Sequence, residues 1–311
     1  MLEGSIAAAA AIGAWATGLA AVVGAQDRLI FGRPGRVRGA PDGPHQGHRT
    51  KPVEFEAAPG MWLRGWMCEP RLPARHLALW FAGRNENVAW VPPSLASWLG
   101  PDWAVIAFAY RGCGSSDGRP SETSSVEDAR KILGWARAQT TVPAQRVLVI
   151  GRSLGSCVAM QLAASLGTEL GGLALLAPPA SVRRLVVRNP LLLPAVPWLR
   201  NNFDSVAAAA DVRVPCLVLL AERDHRVPHS ESLHLVASLR RTGARAAAHV
   251  DVAITPDTNH KTIARHPGTL SRLARFAAEL AAAAAPGKGR SFVPQLSATP
   301  LTFANAKHHR T

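Results

Sequence analysis

The stretch VLVIGRSLGSC, residues Val147–Cys157, decides how the chain folds, because a strand-like apolar run meets a tight glycine-flanked turn and then a helical pattern. Such a turn can bind a phosphate through its backbone, or it can hold a serine side chain above the edge of a sheet. The stretch alone allows both interpretations. Only the partners that the rest of the chain supplies can separate them.

Apolar, strand-like segments alternate with helical patterns over most of the chain. An antiparallel hairpin that turns at Pro59-Gly60 is predicted first, with strands at residues 53–57 and 62–68. Further strands are predicted at residues 76–82, 103–110, 146–150, 173–177, 216–221 and 246–253, and helices at residues 126–139, 154–166, 230–241 and 269–285. Continuously apolar strands that alternate with helices predict an α/β fold, with a mostly parallel sheet covered on both faces.

The alternation places one catalytic domain at residues 52–285. Residues 181–212 interrupt it with prolines and apolar side chains, and the segment is too long for an ordinary connection. We predict that it is a cap over the functional site, with an irregular surface insertion as the alternative. Residues 26–51 are predicted to be a linker, and residues 286–311 a disordered basic tail.

The N-terminal segment, residues 1–25, is predicted to be a hydrophobic anchor formed by a single helix. Residues 5–25 carry no charge and are long enough to span a bilayer. The arginines that follow, Arg28, Arg33, Arg36 and Arg38, favour a cytoplasmic catalytic domain by the positive-inside rule. A cleaved secretory signal is the alternative, because Val23-Gly24-Ala25 suits a signal peptidase.

Composition argues against several classes of partner. The formal net charge is +14, but the basic residues are spread along the chain and no nucleic-acid-binding motif accompanies them, so no nucleic-acid partner is predicted. The cysteines lie far apart, and no histidine is spaced to complete a zinc site. We therefore predict no metal and four free thiols, at Cys68, Cys113, Cys157 and Cys216.

Neither glycine-rich turn fits a phosphate-binding motif. A P-loop needs Lys and then Ser or Thr after its last glycine, but Gly155 is followed by Ser156-Cys157. The turn Gly112–Gly114 has Asp117 where a dinucleotide motif needs its third glycine, and Pro120 precedes any helix. The sequence therefore favours a nucleophile over a phosphate site.

Gly151–Gly155 has the G-x-S-x-G pattern of a nucleophile elbow, with Ser153 as the nucleophile. A serine hydroxyl needs a base and an acid that orients the base. Asp224 follows the strand that ends at residue 221, and His260 lies in the loop after the last predicted strand. We predict a Ser153–His260–Asp224 triad.

Other acids and histidines fit these roles less well. Glu222 is the nearest rival to Asp224, and His266 is the second choice for the base. His225 and His229 lie too close to Asp224 in the chain, and His249 lies within a predicted strand.

An oxyanion needs two backbone N–H donors. Leu154 directly follows the nucleophile and should supply one. The loop after the strand at residues 76–82 should supply the other, from Arg84, and Gly83 would let that loop approach the substrate closely.

These motifs resemble an α/β-hydrolase fold serine hydrolase, most closely the BEM46/ABHD13/ABHD17-like branch. The resemblance rests on FAGRNEN at Phe81–Asn87, YRGCGSSDG at Tyr110–Gly118, the elbow at Gly151–Gly155, Asp224 and His260. It covers residues 52–285 and implies the chain order Ser, Asp, His. Members of the branch commonly carry an N-terminal hydrophobic anchor.

One motif departs from the branch. Its oxyanion segment usually begins His-Gly-Asn, where this chain has Ala82-Gly83-Arg84. Backbone donors survive such a change, so the resemblance implies altered substrate specificity rather than lost catalysis. Arg84 would add a positive charge near the substrate.

The sequence thus predicts a serine hydrolase that cleaves ester or thioester bonds through an acyl-enzyme, without a cofactor. Its substrate would be a small-molecule or lipidic acyl compound, and the apolar cap and the N-terminal anchor together favour the lipidic one. An acyltransferase or peptidase with the same triad remains an alternative. A second alternative is a non-catalytic scaffold at a membrane surface.

Overall fold

The computed structural model describes residues 2–32, 47–243 and 249–284. Over these residues eight strands form one sheet in the order β1-β2-β4-β3-β5-β6-β7-β8. The strands are β1 (His48–Ala58), β2 (Met61–Pro70), β3 (His76–Phe81), β4 (Trp103–Phe108), β5 (Val147–Arg152), β6 (Gly172–Leu176), β7 (Cys216–Arg223) and β8 (Val250–Asn259). The hairpin β1–β2 pairs antiparallel to β4, and β3 to β8 are parallel, so the predicted mostly parallel sheet is confirmed.

Helices precede the first strand, lie between later strands and follow the last strand. They are α1 (Leu2–Gly24), α2 (Gln26–Phe31), α3 (Val91–Leu99), α4 (Glu122–Thr140), α5 (Leu154–Leu166), α6 (Val182–Val187), α7 (Ser205–Ala208), α8 (His229–Gly243) and α9 (Pro267–Ala283). Short 3-10 helices cover Val88–Trp90, Ala144–Arg146, Pro190–Trp198, Ala209–Asp211 and Ile263–Arg265.

The sheet is buried on both faces, because successive strand residues enter different apolar clusters. In β5, Val147 and Val149 face a core that contains residues of α4, α5 and α8. Leu148 and Ile150 face a second core, which contains residues of α3 and α9. Burial on both faces is the reason that the strand sequences are continuously apolar.

Helices α4 and α3 depart from the sequence prediction. Helix α4 begins at Glu122, four residues before the predicted start, because Ser121 and Ser124 form a reciprocal capping box. Helix α3 was not predicted, and its sequence contains Pro92-Pro93. Proline is tolerated in the first turn, where no intrahelical N–H bond is lost, and both prolines lie there.

The predicted cap, residues 181–212, contains α6, α7 and two 3-10 helices. Ser181 begins α6 by accepting a hydrogen bond from the Arg184 N–H. Asn189 begins the 3-10 helix Pro190–Trp198 by accepting from the Leu191 N–H. Leu191 and Trp198 are exposed on this segment. Helix N-caps and short helical turns therefore fix the backbone of residues 181–212.

The N-terminal segment forms helix α1, Leu2–Gly24. Over the residues that the structure describes, no helix is long and apolar enough to cross a membrane. The predicted transmembrane anchor at residues 1–25 is therefore not supported. Its sequence consists largely of alanine, which removes little apolar area from water per residue. The cytoplasmic placement derived from that span stays a prediction.

The predicted linker begins with a helix that belongs to the domain. Helix α2 buries Phe31, whose ring meets Tyr110 and Phe203 edge-on at 5.9 and 5.8 Å between centroids. Gln26 accepts a hydrogen bond from the Arg200 N–H at 2.7 Å and donates one to the Trp198 carbonyl at 3.1 Å. Residues 33–46 of the predicted linker, and the predicted tail, lie outside the described residues.

We predict that Phe31→Ala destabilises the domain by about 3–5 kcal/mol, because the deletion leaves a cavity between two aromatic rings. Phe31 is 2% exposed, whereas Leu72 is 77% exposed. Urea unfolding of the full chain measures the loss, with Leu72→Ala as the control that should change little. A loss below about 1 kcal/mol would show that α2 does not pack on the domain as described.

Candidate active site

Ser153 lies in a strained turn between β5 and α5. Its φ of 51° and ψ of −117° are unfavourable for a residue with a side chain, and they lift the serine out of the strand direction. A Cβ on Gly155 would collide with the Phe81 carbonyl, and one on Gly151 would lie 2.5 Å from Gly155 O. Both glycines of the motif are therefore required by close backbone approach, as the nucleophile elbow predicts.

His260 and Asp224 lie at the same edge of the sheet as Ser153. Strand β8 continues to Asn259, beyond the predicted end at residue 253, so His260 directly follows the strand instead of lying in a long loop. His260 Nε2 lies 2.8 Å from Ser153 Oγ, and its Nδ1 lies 2.7 Å from Asp224 Oδ2. Since an ionised carboxylate only accepts, Nδ1 carries the proton, and Nε2 is free to accept from the serine.

Asp224 is nearly inaccessible, with a side chain that is 1% exposed. Burial by itself raises the pKa of this carboxyl group. The hydrogen bond from His260, together with those from the N–H groups of Val227 and Arg226, outweighs burial and lowers the pKa below its ordinary value. The carboxylate is therefore ionised at neutral pH and can stabilise a positive charge on the imidazole.

The rival residues lie in other environments. Glu222 interacts with the Arg223 guanidinium and accepts a hydrogen bond from the Asp257 N–H. His266 caps α9 by accepting from the Gly268 N–H at 3.2 Å. His229 Nε2 contacts the Ala221 carbonyl at 2.7 Å. The geometry thus brings together the three predicted residues and none of these rivals.

The two predicted oxyanion donors lie in the lining of the cavity that contains Ser153. Among the described residues, neither the Arg84 N–H nor the Leu154 N–H has a hydrogen-bond acceptor. The Gly83 N–H, in contrast, donates to Glu86 Oε2 at 2.7 Å. The hydroxyl of Tyr110 supports the same loop by donating to the Ala82 carbonyl at 2.9 Å.

A buried ion pair beneath the elbow joins two of the site's loops, and sequence reasoning missed it. Arg152 Nη1 lies 3.2 Å from Glu86 Oε1, with side chains only 12% and 4% exposed. Nη2 of the same guanidinium donates to the His260 carbonyl at 2.9 Å. Because Glu86 also accepts from the Gly83 N–H, the pair ties the predicted oxyanion loop, residues 82–87, to the histidine loop, which begins at His260. The motif G-x-S-x-G leaves residue 152 unspecified and gave no signal for this role.

A cavity of about 580 Å³ lies over Ser153 and His260. One wall is apolar, and it is formed by side chains of α2 and of the predicted cap, residues 181–212. Its side chains are Leu29, Ile30, Val182, Leu185, Val186 and Leu192. The contribution of α2 was missed because residues 26–51 read as a linker. The Asn85 N–H donates to the Phe31 carbonyl at 3.2 Å, so α2 also contacts the oxyanion loop.

The cysteines do not compete with Ser153 as nucleophiles, because the thiolate is the reactive form. Burial raises the pKa of Cys113 to about 11 and that of Cys157 and Cys216 to about 12. All four thiols are free, as predicted. In the described part of the chain, no group of acidic, histidine or cysteine side chains could hold a metal ion.

Comparison with known proteins identifies the fold. The sequence profile of the α/β hydrolase fold matches residues 80–213. An uncharacterised Mycobacterium tuberculosis protein is 32% identical over 60% of this chain and 66% of its own length. The uncharacterised Escherichia coli protein YfhR is 27% identical over 60% of this chain and 67% of its own length. The chain therefore spans about two thirds of the length of these relatives.

Among solved structures, the Pyrococcus furiosus esterase Pf2001 superimposes with a TM-score of 0.62 at 19% identity, covering 78% of this chain and 96% of that one. This similarity shows the fold. The profile match supports a hydrolase. The narrower branch suggested by Tyr110–Gly118 is not resolved by these comparisons.

We predict that Glu86→Ala costs about 3–5 kcal/mol of stability, because it leaves the Arg152 guanidinium buried without its partner. The double variant Glu86→Leu/Arg152→Met should be more stable than Glu86→Ala, since it removes both charges. Urea unfolding of the three proteins, beside Glu127→Ala on the exposed side of α4, measures this. A double variant that is no more stable than Glu86→Ala would contradict the ion pair.

Proposed function

Because the chain has the α/β-hydrolase fold, we propose that it is a serine hydrolase that cleaves carboxylic ester or thioester bonds through an acyl-enzyme. One observation carries the proposal, namely the continuous series of hydrogen bonds from Asp224 through His260 to Ser153 at 2.7 and 2.8 Å. A buried acid, a histidine in one tautomer and a serine on a strained elbow are the parts that nucleophilic catalysis needs.

In the first half of the reaction, Ser153 Oγ attacks the acyl carbonyl carbon while its proton moves to His260 Nε2. Asp224 keeps the proton on Nδ1 and stabilises the imidazolium that forms. The N–H groups of Arg84 and Leu154 donate to the oxyanion of the tetrahedral intermediate. When the intermediate collapses, the C–O or C–S bond breaks, and the leaving alcohol or thiol takes the proton from Nε2.

In the second half, water attacks the acyl-serine, and His260 accepts its proton. Collapse of the second tetrahedral intermediate releases the carboxylic acid and returns the proton to Ser153 Oγ. The Arg152–Glu86 pair contributes by position, since it holds the Arg84 loop and the His260 loop in one arrangement through both halves. A misplacement of about 1 Å in such a site can cost about 100-fold in rate.

The apolar wall of the cavity supports an acyl group of hydrocarbon character. Leu29 and Ile30 of α2 face the same space as Leu185, Val186 and Leu192 of the cap segment. Burial of methylene groups against such a wall contributes about 0.8 kcal/mol each. A small-molecule or lipidic acyl compound therefore suits the site, and the fit favours a medium or long chain over acetyl.

The motif Tyr110–Gly118 supports placing the protein in the BEM46/ABHD13/ABHD17-like branch. Tyr110 supports the oxyanion loop, and Arg111 binds Asp128 on α4 through two hydrogen bonds of 2.8 and 2.6 Å. The motif therefore contacts both the loop that contains Arg84 and helix α4. The same triad would also serve an acyltransferase or a peptidase, and those activities are outcomes of a substrate screen with a competing alcohol or a peptide.

A fluorophosphonate probe tests the proposal, because it reacts with a serine only when the hydroxyl is activated. We expect one adduct by intact mass on the full chain, none on Ser153→Ala, and an unchanged adduct on Ser165→Ala, a surface serine of α5. Circular dichroism should show that all three proteins are folded. A folded wild type without an adduct, or an adduct that survives Ser153→Ala, would refute the proposal and favour a non-catalytic scaffold.

A further inference from the structure

Three basic side chains line the cavity around Ser153, each from a different loop. Arg84 follows β3, Arg226 follows β7 and Lys261 follows β8. All three residues are exposed, and over the described residues none of their side chains forms an ion pair or a hydrogen bond. Elsewhere in the site, the positive charge of Arg152 is balanced by Glu86.

The balance of charge on the cavity surface is therefore positive. Glu86 is the one acidic residue among the residues that line it, and its carboxylate is occupied by Arg152 and the Gly83 N–H. Asp224 lies behind His260, where it is 1% exposed. A cavity with cations on three loops and no unpaired carboxylate in its lining favours an anionic ligand.

A second cavity of about 580 Å³ adjoins the first. The two share Asn85, Glu86, Arg152 and Lys261 in their linings. The remaining wall of the second cavity carries polar and basic side chains beside apolar ones, namely Asn87, Thr262, Arg265 and His266 beside Trp90, Ala264 and Pro267. The Arg265 guanidinium stacks over the Trp90 ring at 4.4 Å from its centroid, which holds that charge at the cavity wall.

The first cavity thus combines an apolar wall with cations on three loops, and Ser153 lies in its lining. The apolar wall of α2 and the predicted cap suits the acyl chain. The cationic loops, and the adjoining cavity with Arg265 at its wall, remain for the other half of the substrate, which is the leaving group. Amide and guanidinium donors such as those of Asn87 and Arg265 are suited to bind carboxylate or phosphate oxygens.

We propose that the substrate is an amphiphile in which an apolar acyl chain is esterified to an alcohol or thiol that carries a carboxylate or phosphate group. The proposal rests on the serine hydrolase function and names the substrate class of the same site. Arg84, Arg226 and Lys261 bind the anionic group, which takes no part in bond making. The leaving oxygen or sulfur still receives its proton from His260 Nε2.

Matched pairs of substrates test this inference. In the first pair, 4-nitro-3-(octanoyloxy)benzoic acid and 2-nitrophenyl octanoate differ only by a carboxylate on the leaving group. In the second, octanoyl-coenzyme A and S-octanoyl-N-acetylcysteamine share the thioester, and only the former carries phosphates. We expect kcat/KM to favour the anionic member of at least one pair by about tenfold at low ionic strength, and the preference to shrink with added salt. The pair that shows it identifies the anion.

The double variant Arg226→Gln/Lys261→Gln should lower the ratio of kcat/KM between anionic and neutral substrates toward one. Arg137→Gln, an exposed arginine of α4 outside both cavity linings, should leave the ratio unchanged. Hydrolysis of the neutral esters with a ratio near one in wild type would overturn the inference and leave the serine hydrolase in place. No hydrolysis of any substrate and no fluorophosphonate adduct would overturn both.

Discussion

The hydrogen bonds of His260 are the constraint around which the molecule is organised, because they join residues that follow three different strands. Ser153 follows β5, Asp224 follows β7 and His260 follows β8. Only a parallel arrangement of these strands brings their carboxyl ends to one edge of the sheet. Burial of Asp224 opposes its ionisation, and the bonds from His260, Val227 and Arg226 reverse that effect. The fold and the electrostatics of the site are therefore set by the same contacts.

Contacts other than those among Ser153, His260 and Asp224 hold the neighbouring loops in place. Arg152 and Glu86 connect the oxyanion loop with the histidine loop, and Tyr110 supports the Ala82 carbonyl from below. Helix α2 adds to these contacts, since Phe31 lies in the core and its carbonyl accepts from the Asn85 N–H. The N-terminal segment is thus part of the cavity wall, through Leu29 and Ile30.

The sequence predicted those features that local pattern determines. Continuous apolar runs located the parallel strands, and Gly151, Ser153 and Gly155 located the elbow, because each glycine faces backbone that excludes a Cβ. It could not locate α2, whose stability comes from contacts with Phe203 and Arg200 far along the chain. Nor could it indicate the Arg152–Glu86 pair, since neither residue type is specified by a motif. The transmembrane span was inferred from the length and the absence of charge of residues 5–25, and an alanine-rich segment meets both criteria without much apolar area.

The central proposal is that Ser153 forms a covalent acyl intermediate. The most direct measurement is a rapid-quench reaction of the full chain with 2-nitrophenyl octanoate, followed by intact mass and peptide mapping. We expect a burst of nitrophenol no larger than the enzyme concentration, with one octanoyl group on the peptide that contains Ser153. Steady turnover without that adduct, or an octanoyl group on another residue, would contradict it.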